Sequence, residues 1–425
     1  MNLLYNDGIV NVYSKNAKKS IYFSWRIDLF IVLSVLILLI GPLIGSVLKP
    51  AGAADKLTDL YLSSRCVELF GEDLTETLLR EFEEQNPDLR IILLSGDSSS
   101  QTRADILIFD EGDFHDLAVD NALVSLEDYI DYETGELYAI PLVSFMDLLF
   151  YNIDLLKAAG FDRPPKTRDE FLNYAKTVSG SNTGAAGAAM GLSLLDRQAP
   201  SRDIFSWIWA AGGDFWQAED RPVINSRPII ADISFLGSLY REGVLASMSF
   251  YITGEQRLEE FAQGKIAMMI ASTSAIPALR EKMGDDAFSI TTIPDSGSAG
   301  KYGVGISSLY TGISADCVYP DEAWKFLEFL AKRSPFLCEE LKAVPGIVSD
   351  FYYGDYFKDD PFYSKARDIF DSSQIVYGFS GKAEEFERAV LEEIRIFFET
   401  GRTAQETAAA IQQRWDAFFY HYDQN

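Results

Sequence analysis

The feature that most constrains this chain is a long apolar run near its start. From Leu29 to Leu48 the sequence reads LFIVLSVLILLIGPLIGSVL, twenty residues without a charged side chain. As a helix this run would be about 30 Å long, which matches the hydrocarbon core of a bilayer. Four basic residues precede the run: Lys15, Lys18, Lys19 and Arg26. We therefore predict a cytoplasmic tail (1–28), a transmembrane anchor (29–48) and a domain outside the cytoplasm.

The same run has a second interpretation, a cleaved signal peptide. Ala51-Gly52-Ala53 follows it and has the small-residue spacing of a cleavage site. Both the leader and the apolar run are long for a signal peptide, which favours an uncleaved anchor. The mature protein starts at Ala54 under the second interpretation and retains the run under the first.

The charge balance limits the partners of the exported part. The chain has 425 residues, with 37 Lys and Arg against 64 Asp and Glu, for a net charge of −27. The first 53 residues contain 5 basic and 2 acidic side chains, so the remainder contains 32 and 62 and carries −30. Nucleic acid is not predicted as a partner, because phosphate binding needs clustered basic residues. Anionic lipid repels such a domain, so the apolar run must provide the membrane association.

Histidine and cysteine are too scarce for most metal and redox chemistry. The chain has only these: His115, His421, Cys66, Cys317 and Cys338. A zinc site of the usual His and Cys type can barely be assembled from them, so we predict neither a metal nor a cofactor. Cys317 and Cys338 are a possible disulfide pair outside the cytoplasm, but buried free thiols are the favoured interpretation.

Short apolar stretches alternate with amphipathic ones beyond residue 55, which is typical of an α/β protein. Three strands are predicted: Leu57–Leu62, Arg90–Leu94 and Ala104–Phe109. One helix face between the first two strands is apolar: Leu74, Leu78, Leu79 and Phe82. Asn86-Pro87 ends this helix, because the residue before proline avoids the helical conformation.

Capping signals predict further helices. Thr167 and Glu170 form a capping box before a helix at Phe171–Thr177, and Thr403 and Glu406 form another near the end. The last two helices have apolar faces: Phe386, Val390, Ile394 and Phe397 on one, and Ile411, Trp415 and Phe418 on the other. Ser179–Gly191 is rich in Gly, Ala and Ser and is predicted to be a flexible loop.

Enzyme motifs are absent from the sequence. It has no P-loop, HExxH, CxxC or GxSxG pattern. Asp110-Glu111-Gly112-Asp113 suggests a metal site, a pair of carboxylates or simply a solvated loop. A glycan-cleaving enzyme needs two carboxylates about 5–10 Å apart with different pKa values, and no motif pairs them. We therefore predict no catalytic residues. Gly303-Val304-Gly305 indicates a close crossing of strands.

Several sequence blocks occur in a characteristic order along residues 57–421. They are Phe82–Pro87, Tyr138–Pro141, Asp147–Leu156, Ala159–Phe161, Pro164–Thr167, Trp207–Gly213, Phe261–Met269, Ile293-Pro294, Ala323–Leu327 and Gly401–Trp415. Each block is weak alone, but the ordered set resembles the bacterial extracellular solute-binding proteins of ABC importers. It is most similar to the sugar-binding family that includes maltodextrin-binding protein.

The resemblance implies a two-lobed periplasmic binding protein fold of type II, in the α/β class, after the predicted transmembrane helix. One lobe would comprise residues 57–143 and 303–357, and the other residues 144–302 and 358–425. The chain would cross between them near 141–144, 302–306 and 355–362. Such a protein closes about a hinge on a solute, makes and breaks no bond, and delivers the solute to an ABC permease in the membrane. It would act as a monomer.

The resemblance also places ligand-binding residues on loops that face the gap between the lobes. They are Ser64, Arg65, Phe109, Asp110, Glu111, Asp113, Phe145, Arg202, Asp203, Trp209, Ser272, Thr273, Ser274 and Glu387. Trp207, on the same helix as Trp209, is predicted to be a core residue instead. Maltodextrin-binding relatives have tryptophans where this chain has Ser274 and Glu387. Loss of two stacking rings favours a short, hydroxyl-rich or partly cationic ligand over maltodextrin.

The sequence therefore predicts a membrane-anchored, extracytoplasmic solute-binding protein whose first candidate ligand is carbohydrate. Two alternatives stay open at this point. One is a binding-protein fold used for sensing or scaffolding, since an anchor ties a receptor to the membrane without specifying a permease. The other is a glycan-acting enzyme.

Overall fold

The structure is a computed structural model, and it describes most of the chain beyond residue 56. The described residues are 57–94, 103–110, 113–114, 117, 120–127, 129, 137–195, 202–213, 215, 222–295, 303–346, 359–377 and 383–422. The predicted tail and apolar run lie outside them. Within these ranges no helix combines the length and apolarity needed to cross a bilayer.

Strands and helices alternate along the chain, as the sequence predicts. The described strands are β1 (Thr58–Leu62), β2 (Leu89–Leu93), β3 (Ile106–Asp110), β4 (Ile140–Asn152), β5 (Met268–Ser272), β6 (Phe288–Thr291), β7 (Gly303–Ile313), β8 (Val344–Pro345) and β9 (Gln374–Tyr377). The first described α-helices are α1 (Arg65–Phe70), α2 (Glu72–Gln85), α3 (Ile153–Ala158), α4 (Arg168–Ser179), α5 (Arg202–Ala210), α6 (Arg227–Arg241) and α7 (Gly254–Ala262). The later ones are α8 (Ile276–Met283), α9 (Pro320–Lys332), α10 (Ser334–Leu341), α11 (Pro361–Ser372), α12 (Ala383–Thr400) and α13 (Ala404–Tyr422).

Two long strands, β4 and β7, join the two ends of the sheet. The strand order is β2-β1-β3-β7-β4-β5, with β6 and β8 also on β4 and β9 on β7. β4 pairs with β7 and β8 through its residues 140–146, and with β5 and β6 through residues 147–152. We call β4 and β7 the crossing strands. Following the lobe ranges predicted from the sequence, we use the name first lobe for β1–β3, α1, α2, α9 and α10, and the name second lobe for β5, β6, α3–α8, α12 and α13.

Two large apolar clusters fill the interior. The first surrounds Leu60, Phe82 and Phe326, and the second surrounds Trp207 and Trp415, all at most 1% exposed. The first cluster also includes side chains from α7, α8 and β6. The first cluster therefore extends from the first lobe into part of the second, so the two clusters do not coincide with the two predicted lobes. The lobe boundaries predicted from the sequence stay a prediction.

The local sequence signals are confirmed. The three predicted strands correspond to β1, β2 and β3 within two residues at each end. The Thr167 hydroxyl accepts a hydrogen bond from the Glu170 amide at 3.2 Å, but the Glu170 carboxylate accepts from the Lys166 amide, so only half of the first predicted capping box is formed. The second box is complete, since Thr403 and Glu406 bond each other's amides. Trp207 is buried, as predicted.

The sequence predicts a flexible loop at Ser179–Gly191 because its residues are small, but in the structure these small residues pack against neighbouring segments. Ala186, Ala188 and Ala189 form isolated bridges to neighbouring segments, and the latter two are buried. A Cβ on Gly187 would lie 2.0 Å from the carbonyl oxygen of Ala175. The small residues therefore permit close packing of the segment against α4 rather than chain flexibility.

The three cysteines are free thiols. Burial raises the pKa of Cys66 to about 11 and that of Cys338 to about 12. Burial also raises the pKa of the half-buried Cys317 to about 12. All three thiols are thus protonated at neutral pH and poorly reactive.

Candidate ligand-binding cleft

The first set of predicted site residues lies at the carboxyl ends of two parallel strands. Ser64 follows β1, and Asp110 is the last residue of β3. β1 and β3 pair in parallel, and the hydroxyl of Ser63 accepts a hydrogen bond from the Ile108 amide at 3.2 Å. In open α/β sheets, ligands bind beyond the carboxyl ends of strands, where neighbouring connections diverge. These residues therefore stand at the edge where a ligand is expected.

Arg65 organises the acidic side chains at this edge. Its guanidinium lies 2.7 Å from Asp110, 2.8 Å from Asp113 and 3.3 Å from Glu68. Burial lowers the pKa of Arg65, but the three carboxylates outweigh that effect and raise the pKa above its usual value. For Asp113, burial and then the neighbouring Asp110 raise the pKa, against the attraction of Arg65. We call these four side chains the acidic cluster, and it carries one positive and three negative charges.

The crossing strands form the floor next to the acidic cluster. Asp110 pairs with Leu309 of β7, which in turn pairs with Val143 of β4. One residue along, the hydroxyls of Ser144 and Ser308 are 2.7 Å apart and buried. Phe145, a predicted site residue, follows Ser144 and is half-buried.

On the second lobe, Arg202 and Asp203 begin α5, and each is held by an oppositely charged partner. The Arg202 Nε lies 2.5 Å from Asp147, in the middle of β4. Asp203 lies 3.3 Å from Arg257 and accepts a hydrogen bond from the Gly191 amide at 2.8 Å. Both predicted residues are therefore fixed in position by ion pairs.

The three hydroxyl residues after β5 have different environments. Thr273 is buried, and its hydroxyl accepts a hydrogen bond from the Met146 amide at 3.0 Å, which ties it to β4. Ser274 is exposed and donates to the Ser272 hydroxyl at 2.9 Å. Ser272 and Ser274 are thus on the surface, whereas Thr273 supports the strand.

Two of the three aromatic side chains predicted to contact ligand are buried, whereas Phe145 is half-buried. Trp209 and Phe109 are each 2% exposed. Phe109 stacks on Phe114 and Tyr310, with ring centroids 6.0 and 5.9 Å away. Of the remaining predictions, Glu387 lies half-buried on α12, and Glu111 lies outside the described residues.

Asp147 is the site residue that the sequence prediction missed. Burial raises its pKa to about 6, although Arg202 opposes the shift. Asp147 is the single charged residue in a strand that otherwise reads IPLVSFM and LLFYN. A charge inside such an apolar run was a usable signal, because an ionisable group is rarely buried without a partner.

The described residues contain no metal site near the cleft or elsewhere: no group of three His, Cys, Asp or Glu among them is arranged to hold a metal ion. An open depression on α2 and β2 shares no residue with the cleft; it is lined by Glu76, Leu79, Arg80, Glu83, Glu84 and Ile91.

Comparison with known proteins places the chain in a family. The family described as "Bacterial extracellular solute-binding protein" matches residues 70–334. A binding protein of Brucella abortus (strain 2308) is 22% identical over an alignment 288 positions long, which covers 61% of this chain and 68% of that protein.

Solved structures share the fold at low sequence identity. The cyclic alpha-maltosyl-1,6-maltose binding protein from Arthrobacter globiformis has a TM-score of 0.71 and 16% identity, covering 85% of this chain and 98% of its own. UgpB from Mycobacterium tuberculosis, in complex with glycerophosphocholine, has a TM-score of 0.66 and 18% identity, covering 87% and 100%. These likenesses confirm the predicted two-lobed α/β fold, and the chain belongs to the bacterial extracellular solute-binding proteins.

Proposed function

We propose that this protein captures a small solute between its two lobes outside the cytoplasm and delivers it to an ABC importer. The observation that carries the proposal is the acidic cluster at the carboxyl ends of β1 and β3, beside the crossing strands. It brings Arg65, Asp110 and Asp113 together within 2.8 Å at the edge where α/β sheets bind ligands. These charged groups bond one another in the structure, and each is able to form hydrogen bonds with the hydroxyl groups of a solute instead.

The charge of the cleft supports a neutral polyol or a partly cationic solute. The acidic cluster has two more negative than positive charges, whereas Arg202 and Asp203 are each balanced by an opposite charge. An isolated anion would meet a net repulsion on the first-lobe side. Carbohydrate is the first candidate, as a mono- or disaccharide or an amino sugar. Glycerophosphocholine, held by the structural relative from Mycobacterium tuberculosis, is a zwitterion whose quaternary ammonium cation balances its phosphodiester anion, and it belongs in the same test.

The apolar run supports a membrane anchor, which would keep the solute-binding domain next to the permease. In this proposal residues 29–48 stay attached as a single-pass anchor, and the lobes comprise 57–143 with 303–357 and 144–302 with 358–425. The protein works as a monomer next to its permease. Amino-terminal sequencing of protein from native membranes tests the anchor, since a mature start at Ala54 contradicts it.

Solute binding is tested by thermal shift and calorimetry on the full chain in detergent. The panel is glucosamine, maltose, mannobiose, glycerophosphocholine and maltotriose. A binder at one hundred times its dissociation constant stabilises the protein by about 2.7 kcal/mol, a readily measured shift. We expect a response to one of the smaller compounds. Tight binding of maltotriose with no response to the others contradicts the proposed ligand class, and co-purification of a permease distinguishes import from sensing.

A further inference from the structure

One helix of the second lobe, α5, is packed directly on crossing strand β7. A Cβ on Gly305 would lie 2.5 Å from the Trp209 ring, and a Cβ on Gly303 would lie 2.5 Å from the Trp209 carbonyl oxygen. Real Cβ atoms do not approach other atoms this closely, so any side chain at either position would displace the helix or the strand. The two glycines therefore bring the backbone of β7 against α5.

The same helix is held to the other crossing strand by charge. Asp147 of β4 is 2% exposed and lies 2.5 Å from the Arg202 Nε, and the Ser206 hydroxyl donates to the same carboxylate at 3.4 Å. A Cβ on Gly305 would also lie 3.2 Å from that carboxylate oxygen. Both attachments of α5 therefore converge at one point of the two crossing strands.

Asp147 also lies where β4 changes partners. Residues of β4 up to Met146 pair with β7, and Asp147 begins the register with β5 by facing Ser272. When the lobes move relative to each other, the crossing strands must bend near Asp147. Close-packed contacts at this point transmit the displacement to α5.

We propose that α5 is clamped to both crossing strands, and that Asp147 and Gly305 are positioning residues that make α5 follow the bending of the hinge. The clamp sets where Arg202 and Asp203 stand on the second-lobe wall as the cleft closes. Asp203 extends the connection through Arg257 and the Gly191 amide. This inference rests on the proposed function, because it assumes that the lobes close on a solute.

The chain provides matched control residues for this clamp. Asp232 forms the same kind of buried pair with Arg168, at 2.6 Å, but lies on α6. Arg168 also donates a hydrogen bond to the Trp207 carbonyl oxygen of α5, so this control loosens an attachment of α5 that does not involve Asp147 or Gly305. Gly237, also on α6, permits close packing too, since its Cβ would lie 2.4 Å from the Phe397 ring. Asp232→Asn and Gly237→Ala therefore impose similar damage on the second lobe away from the crossing strands.

The test measures the distance between the lobes by double electron–electron resonance on the full chain in detergent. Spin labels are attached at the exposed positions Glu84→Cys and Thr177→Cys, one in each lobe, in a Cys317→Ser background. Asp147→Asn and Gly305→Ala are compared with the two controls, without solute and with maltose or glycerophosphocholine. We expect Asp147→Asn and Gly305→Ala to broaden the distance distribution without solute and to lose most of the shortening on solute addition. We expect both controls to behave as wild type.

Each outcome decides a separate point. If wild type shortens with solute and both clamp variants shorten equally, with unbroadened distributions, the clamp is overturned. If the controls broaden as much as the clamp variants, the effect is general loosening, and the clamp is again overturned. If no solute shortens the distance in wild type, hinge closure in the proposed function fails, while broadening confined to the clamp variants still supports the attachment of α5. Asp147→Asn keeps the side-chain shape, so it serves if Gly305→Ala does not fold.

Discussion

The two walls of the cleft use ionic groups in opposite ways. In the acidic cluster, the side chains of Arg65, Asp110 and Asp113 are between a quarter and two-fifths exposed, and acids outnumber the base. On the second lobe, Asp147 with Arg202 and Asp232 with Arg168 are matched one to one, and both carboxylates are almost fully buried. Exposed, unbalanced charges can exchange partners with a solute, whereas buried pairs chiefly fix geometry. The first lobe is therefore suited to binding and the second to positioning.

The largest expected effect comes from a substitution that breaks a buried ion pair. Asp232→Ala leaves the Arg168 guanidinium buried without its carboxylate, with a hydrogen bond to the Trp207 carbonyl oxygen and packing on the Phe235 ring. An uncompensated buried charge costs about 3–5 kcal/mol of the free energy of unfolding. Urea unfolding of the full chain measures the loss.

The matched control removes an exposed pair of the same lobe. Glu242→Ala breaks the contact with Lys176, whose side chain is half exposed, and should cost at most about 1 kcal/mol. Equal losses for the two variants would contradict the division between buried and exposed pairs.

The second prediction concerns binding rather than stability. Asp110→Asn removes a charge from the acidic cluster, and a hydrogen bond to a charged group is worth about 1.5–3 kcal/mol. We therefore expect solute affinity to fall about tenfold to a hundredfold with little change in unfolding. Asp59→Asn, which breaks the exposed pair with Arg90 on β1 and β2, is the control. Calorimetry with the solute found in the panel measures both, and an unchanged affinity for Asp110→Asn would remove that residue from the site.

How far the sequence predicts the molecule depends on how local each cause is. Caps such as Thr167 and Thr403, the end of α2 at Asn86, and the apolar faces of α12 and α13 all involve residues a few positions apart. Their physical causes are visible in sequence, and the structure contains each of them. The family resemblance was likewise confirmed because it drew on ordered blocks along most of the chain.

The site was harder to predict because its contacts are between distant residues. Asp147 meets Arg202 only through the register of β4 with β5 and β7, and Trp209 is buried because Gly305 lets β7 approach it. No local pattern indicates either contact. The small residues of Ser179–Gly191 suggest flexibility in the sequence for the same reason, since Ala175, the residue that packs against them, is identified only by the fold.

The third prediction concerns how the two buried carboxylates of the second lobe make stability depend on pH. Burial raises the pKa of Asp147 and of Asp232 to about 6, against about 4 for an unfolded aspartate. Between these values the folded protein binds more protons than the unfolded chain. Each group therefore makes the free energy of unfolding fall as pH rises through this window, by up to about 1.4 kcal/mol per pH unit, and has a constant effect above it.

The matching measurement is urea unfolding at several pH values from 4.5 to 7. Asn has no such proton, so Asp147→Asn should cost more stability at pH 4.5 than at pH 7. Asp232→Asn should do the same. A cost for Asp147→Asn that shrinks toward acid would contradict the raised pKa.

The smallest expected effect adds an aromatic surface to the second lobe. Ser274 is exposed just after β5, where its hydroxyl donates to Ser272. The sequence resemblance predicts that this position corresponds to a tryptophan in maltodextrin-binding relatives. One stacking contact is worth about 0.5–1.5 kcal/mol beyond area burial, so Ser274→Trp should strengthen maltotriose binding about twofold to tenfold. Ser274→Leu buries apolar area without a ring face and should gain less. Calorimetry on both variants tests this, because the gain should be larger for maltotriose than for glucosamine, which is too short to use the added ring. An equal gain for both sugars would show that the added ring contacts a single sugar unit rather than a longer chain. No gain for either sugar would show that Ser274 does not face the bound solute, and the contrast between a binding first lobe and a positioning second lobe would then be sharper than the sequence predicts.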